Sequence, residues 1–267
     1  MSKGAAAPTQ VSAWDTRFAE AFATMLFCQG RSYGRRIKCF GRLLTWSDEI
    51  APSLLHSLVL AITARVPAPC GNELRLNLTE ASALHPGAPS QLPHRDQDME
   101  QGTIGLTEYL VTVMWPSTPY SAENGAAAIY PRSHGLHSAR LDEERVPNIA
   151  ELEPGDALIF LGSTLHALSD NRGDQVDRAM LVSYCVDWLP LYEDRRIAGS
   201  PAIADRFAPE LARLAGYRSG PGTYQRRWLP SLLQDDSGLS SIEATATLRP
   251  DRTQLTDHHG RDDGARR

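Results

Sequence analysis

The stretch Gln91-Leu92-Pro93-His94-Arg95-Asp96, answered further along by Leu165-His166 and by Arg178, decides how this chain is read. A His-x-Asp spacing on extended backbone returns both side chains to one face, because successive residues of a strand point to opposite sides. Two imidazoles and one carboxylate are the ligand set that holds non-haem Fe(II) on one face and leaves the other open. Dioxygen and a co-substrate can take the open positions. Asp98 is a second carboxylate close in sequence, but the spacing favours Asp96 as the partner of His94 and His166. Arg178 stands 178 − 166 = 12 residues after the second histidine. Its guanidinium can grip a dicarboxylate bidentately and stays charged at working pH. Arg172 competes for that role but sits in Asn171-Arg172-Gly173-Asp174, which reads as a turn, and a plain salt bridge to Asp174 or Asp177 is the structural alternative for Arg178.

Outward from this stretch, the pattern divides the chain into helices first and strands afterwards. Trp14, Phe18, Phe22, Met25 and Leu26 recur at helical spacing and predict an amphipathic helix over 14–28. Ser47-Asp48-Glu49 offers a cap and first-turn acids for a second helix running to Arg65 through Leu54, Leu55, Leu58 and Leu60. Strands are predicted at Leu74–Leu78, Tyr109–Trp115, Ala126–Tyr130, Ala157–Leu161 (after the Pro154-Gly155-Asp156 turn) and Ala179–Trp188. A helix resumes near Ile203–Gly216. Leading helices followed by many strands predict an α+β fold or a barrel packed under helices.

Composition narrows the function class. The chain has 267 residues, 42% of them hydrophobic, which suffices for one packed core. One domain is expected over 13–233, between a disordered start (1–12) and a tail (234–267) too polar to offset its ordering entropy. A net charge of −5, with no basic cluster interleaved with aromatics, argues against a nucleic-acid partner. Cys28, Cys39, Cys70 and Cys185 show no CxxC pairing, so neither a zinc ribbon nor a disulfide framework is implied. The first residues lack the apolar core of a signal peptide and no apolar run reaches membrane-spanning length, so a cytoplasmic protein without a membrane partner is expected. A homodimer is compatible with everything read so far.

Several short pieces, in order, carry a family resemblance. They are Leu84-His85-Pro86-Gly87 leading into Gln91–Asp96, then Glu123-Asn124-Gly125 followed by Pro131-Arg132-Ser133-His134-Gly135. Pro154-Gly155-Asp156-Ala157-Leu158-Ile159-Phe160, Leu165-His166 and Asn171-Arg172 complete the set, and Leu214-Ala215-Gly216-Tyr217 fits the family's C-terminal pattern. Residues 82–195 thus resemble the core of the phytanoyl-CoA dioxygenase-like superfamily of Fe(II)/2-oxoglutarate-dependent oxygenases. The resemblance implies a double-stranded β-helix, the jelly-roll form shared with cupins. It implies Fe(II) held by His94, Asp96 and His166, with 2-oxoglutarate and O2 as co-substrates. Gln91 and Arg178 are then the expected co-substrate contacts. Relatives often carry Thr where this chain has Ala127, so one polar contact is missing. In related halogenases a small residue replaces the carboxylate; Asp96 is retained here, which disfavours halogenation. The local sequence around His94 is closer to enzymes that tailor natural products than to acyl-CoA hydroxylases, which points to a bulky small-molecule substrate.

Other candidates have plainer readings. Ser133-His134 looks like a nucleophile and base, but adjacent residues rarely face each other, and the family segment is a structural turn. His56, His85 and His137 have no partner pattern. Trp115, Met99 and Tyr109 read as core before pocket, and His258-His259 as part of a solvated tail. Two rival functions remain: a cupin-like barrel holding zinc for hydrolysis or isomerisation, and a non-catalytic binding barrel. Neither needs Arg178 or Gln91.

Overall fold

A computed structural model describes residues 1–29, 35–67, 71, 73–99, 107–135, 146–193, 203 and 205–217. Met1–Pro221 forms one compact unit, and the tail expected to be disordered (234–267) lies outside the described residues.

The fold is α+β, a jelly-roll of two antiparallel sheets with helices packed on one of them. Strands β1 (Ile37–Gly41), β2 (Leu74–Leu84), β3 (Leu110–Pro116), β6 (Leu158–Leu161) and β8 (Asp177–Val186) form a five-stranded sheet in the order β1-β2-β8-β3-β6. Strands β4 (Ala127–Ile129), β5 (Asn148–Ile149) and β7 (His166–Leu168) form the smaller sheet, in the order β5-β4-β7. Helices α1 (Pro8–Thr24), α2 (Ala51–Leu54), α3 (Ser57–Arg65) and α4 (Pro209–Leu214) complete the unit.

Register assigns each side chain of the large sheet to a face. Residues directly opposite in antiparallel strands share a face, so Leu78, Ser183, Thr112 and Phe160 form one row, and Glu80, Leu181, Met114 and Leu158 the next. This face joins Ala126, Ala127 and Leu168 in the core between the sheets. The intervening rows, such as Ala81-Met180-Trp115 and Thr79-Val182-Val113, face the other way. There they meet Trp14 and Phe18 of α1 and Leu54 of α2 in a second core. Tyr184 belongs to that outer layer and donates its hydroxyl hydrogen bond to Leu54 O at 3.0 Å.

Three parts differ from the sequence expectation. The first residues are docked rather than disordered: Ser2 pairs with Ala157 through two 2.8 Å backbone bonds, and Asp156 accepts from Lys3 Nζ at 2.7 Å and Gly4 N at 2.8 Å. Gly155 makes this possible, since its φ is +95° and a Cβ there would lie 2.5 Å from Ala6 O. Helix α1 accordingly starts at Pro8, whose fixed φ and absent N–H suit a first turn. The long second helix is broken at Leu55-His56, where His56 is extended (φ −59°, ψ 122°), and α3 buries Val59 and Thr63 while Leu58 is exposed. Strand β1 was not anticipated at all. Its alternation places Ile37 and Cys39 between the sheets and Phe40 against α1, too short a period-two signal to stand out.

Candidate metal centre

The small sheet delivers both imidazoles. His94 and His166 form a backbone bridge, each N–H donating to the other's carbonyl at 2.9 Å, so their rings lie side by side with centroids 4.5 Å apart. Each ring is oriented the same way. His94 Nδ1 bonds Leu92 O and His166 Nδ1 bonds Thr164 O, both at 3.0 Å. That fixes the tautomer and leaves the two Nε2 atoms as metal donors.

Asp96 opens a 3-10 turn (Asp96–Met99) and turns its carboxylate toward both rings. Oδ1 lies 3.4 Å from His166 Nε2 and 3.9 Å from His94 Nε2, and all three ligand atoms fall within 4.8 Å of one another. Asp98 does not join them; it faces Arg95 at 3.9 Å. Thr112 donates its hydroxyl to Asp96 Oδ2 at 2.5 Å, and Phe160 packs its ring 4.6 Å from that of His166. Sequence reasoning missed both supports. Thr112 had a signal, as the one polar residue in the apolar run Leu110–Pro116. Phe160 had none, because an aromatic on a strand is ordinary core.

The electrostatics suit a cation. Burial pushes the Asp96 carboxyl up, but His166, the Thr112 hydroxyl and His94 outweigh it and hold it below the usual carboxylate range. Burial and the neighbouring His166 lower His94, which favours the neutral, ligating ring. Burial lowers His166 too, yet Asp96 over-compensates and raises it, so a proton competes for the position a metal would take.

The two expected co-substrate residues lie elsewhere or are partly committed. Arg178 is a correction. Its register partner is Ala83, on the outer face of the large sheet, and its guanidinium grips Asp15 of α1 through Nε at 2.9 Å and Nη2 at 2.7 Å. The inward neighbour is Asp177 instead. The physical reason is the period of two: a one-residue offset on β8 exchanges the faces. Gln91 lies beside β7, accepting from Leu168 N through Oε1 at 3.1 Å while its own N–H donates to Leu168 O at 2.9 Å. Only its Nε2 end is left for a ligand. The described residues thus fit the metal, while Arg178 is turned away from the inner face where a co-substrate would lie. By register and exposure, the described residues on the half-buried middle of the inner face are Cys39, Leu78, Glu80, Ser82 and Leu181, with no cation among them.

Ser133 accepts from Leu165 N at 2.8 Å and is buried, while His134 is exposed, so the pair is a turn and not a catalytic dyad. His56 and His85 pack against Trp115 and Phe27. His137 and His258-His259 lie outside the described residues, as does the side chain of Met99. A cavity of about 340 Å³ is lined by Leu55, Leu60, Glu73, Leu74, Glu210 and Arg213 among others, in the helix layer and without any member of the triad.

Residues 45–180 match the family model of phytanoyl-CoA dioxygenase (PhyH). The chain belongs to the phytanoyl-CoA dioxygenase family. It is thereby a member of the Fe(II)/2-oxoglutarate-dependent dioxygenases. Among characterised relatives, it is 33% identical to the dioxygenase aneA of Aspergillus aculeatus over 206 residues, 72% of this chain and 69% of that protein. It is 28% identical to the dioxygenase trt7 of Aspergillus terreus over 202 residues, 72% of this chain and 69% of that protein. Other curated relatives are spanned over less of their length, 51% for the dioxygenase cdmA of Talaromyces verruculosus and 37% for the dioxygenase peniF of Penicillium patulum. The epimerase SnoN, solved with Fe3+, alpha ketoglutarate and nogalamycin RO, shares the fold at TM-score 0.59 and 15% identity, covering 82% of this chain and 86% of that one. HygX from Streptomyces hygroscopicus, solved with nickel and 2-oxoglutarate, does so at TM-score 0.55 and 13% identity, over 72% and 84% of the two chains. No described helix is long and apolar enough to cross a membrane.

Proposed function

We propose that this phytanoyl-CoA dioxygenase family member oxidises a small-molecule metabolite of the natural-product kind, using Fe(II), dioxygen and 2-oxoglutarate. His94, Asp96 and His166 are the proposed iron ligands. The observation that carries the reading is the convergence of their ligand atoms within 4.8 Å, with both Nδ1 atoms already engaged. Bound Fe(II) would supply the site at which dioxygen is activated. The chain's own residues do the rest. Asp96 offers the anionic donor, Thr112 holds it in place, and Phe160 keeps water from one side of the His166 ring. The half-buried inner wall beside the triad, with Leu78, Glu80, Ser82 and Leu181, is the proposed substrate surface. Hydroxylation is the default outcome. A small-molecule substrate is supported by the structural neighbours SnoN, solved with nogalamycin RO, and HygX, solved with hygromycin B.

A second reading is favoured by one observation, the engagement of Arg178 by Asp15 away from the triad. A jelly-roll with a zinc-type metal and no 2-oxoglutarate would not need that arginine. One assay separates the two: succinate formed from 2-oxoglutarate with Fe(II) and ascorbate under air, across a panel of candidate substrates. Succinate dependent on Fe(II) and abolished by His94→Ala supports the oxygenase. A metal-loaded protein that never consumes 2-oxoglutarate, yet hydrolyses or isomerises a substrate with zinc, supports the alternative.

A further inference from the structure

Cys28 and Cys39 belong to different pieces of the fold. Cys28 lies in the extended segment that follows α1, and Cys39 sits on edge strand β1. The segment is held against the strand by Cys28 N–H donating to Ile37 O at 2.7 Å. That contact brings the two sulfurs to 2.9 Å, with both side chains half-buried. Register turns Cys39 to the inner face, opposite Ser82 and on the same side as Glu80. The remaining described cysteine, Cys185, is fully buried among Tyr109, Leu110 and Val186.

We propose that Cys28 and Cys39 form an oxidisable dithiol, a modification site for hydrogen peroxide that closes a disulfide between the segment after α1 and the inner face of the barrel's edge strand. The two thiols are asymmetric in the way such chemistry needs. With Cys39 as the donor in the shared contact, Cys28 is lowered to about 7 against the opposing effect of burial, which favours its thiolate. Cys39 is pushed up by its role as donor, by burial and by Glu80, and stays a thiol. Cys28 therefore attacks and Cys39 resolves. In the first step the Cys28 sulfur bonds to one peroxide oxygen as the O–O bond breaks, giving a sulfenic acid and hydroxide, which leaves as water after taking a proton. In the second step the Cys39 sulfur bonds to the Cys28 sulfur, the S–O bond breaks, and hydroxide departs as water with the Cys39 proton. Two electrons pass from the sulfurs to peroxide, and no other reactant is needed.

The test uses the full chain, reduced and then exposed to hydrogen peroxide, with remaining thiols alkylated and the peptides mapped by mass. The expected result is loss of two of the four thiols, one peptide pair joined through Cys28 and Cys39 and lighter by two hydrogens, and full recovery on reduction. Cys39→Ser should stop the crosslink and leave a sulfenic acid at Cys28 that dimedone captures. Cys28→Ser should leave Cys39 alkylatable. The proposal is overturned if both thiols of the unmutated protein stay alkylatable at peroxide levels that oxidise free cysteine, or if the crosslink joins Cys28 or Cys39 to Cys70 or Cys185. Absence of sulfenic acid at Cys28 in Cys39→Ser would also overturn it.

Discussion

Strand β8 has two faces that do opposite work. Its inward residues Ala179, Leu181 and Ser183 line the space between the sheets, with Ser183 opposite the Thr112 that holds Asp96. Its outward residues Arg178, Met180, Val182 and Tyr184 fasten α1 and α2 to the barrel. The chemistry and the scaffold are thus interleaved residue by residue along one strand, and a mutation's meaning depends on parity. Asp177 marks where this costs most. It faces inward, 1% exposed, with Thr118 donating to Oδ1, while Oδ2 lacks a hydrogen-bond partner and Tyr120 lies close enough to feel its charge.

Breaking the inward side at the triad should have the largest effect. His94→Ala removes a proposed iron ligand from a half-exposed position, so turnover should fall by at least about a hundredfold, since even outer contacts to ligands cost about 10–100-fold. Thermal melting should barely move. Retained succinate formation would take His94 out of the site.

Next comes Asp177, where burial drives the carboxyl up to about 8 against the hydrogen bonds that lower it. The folded value lies above the unfolded one of 3.8, so the folded state keeps a proton that the unfolded chain releases. The stability this group allows is complete below about pH 4 and is lost progressively as pH rises to about 8. Asp177→Asn removes that loss and keeps an acceptor for Thr118. Denaturant unfolding should show the variant more stable by on the order of 2–5 kcal/mol at pH 8 and equal to the wild type at pH 4. An equal gap at both pH values would contradict the titration account.

On the outward side, Arg178→Gln should cost about 1–3 kcal/mol of stability, because it strands the partly buried Asp15. In a domain of this size that lowers the melting temperature by about 2–4 °C per kcal/mol. Asp15→Asn should do much the same, and the double variant little more. Strict additivity in that cycle would mean the pair is not coupled. The smallest effect is expected at Thr112→Val, which keeps the shape and removes the hydroxyl on Asp96. Metal affinity should fall about tenfold, measured by competition with a chelator.

The grouping of His94, Asp96 and His166 was legible from the His-x-Asp spacing, although Asp96 reaches the two rings from the start of a 3-10 turn and not from a continuing strand. The barrel was legible for a related reason: long apolar strands such as Leu110–Pro116 have few alternatives. What failed were features set by distant contacts. Arg178 stands at a plausible distance from His166, but the length of the turn before β8 decided which face it took, and nothing local records that. The docking of residues 2–7 depends on Gly155 and Asp156, far away in the chain. Strand β1 is too short to outweigh its surroundings until β2 pairs with it.

The account stands on Asp96 and its inward-facing neighbours holding the metal while Arg178 holds only the scaffold. Anaerobic calorimetric titration of Fe(II) into wild type, Asp96→Ala and Arg178→Gln, side by side, addresses this most directly. Wild type and Arg178→Gln should each bind one Fe(II) with the same affinity, and Asp96→Ala should bind it at least about a hundredfold more weakly. Undiminished binding by Asp96→Ala, or a comparable loss in Arg178→Gln, would contradict the account.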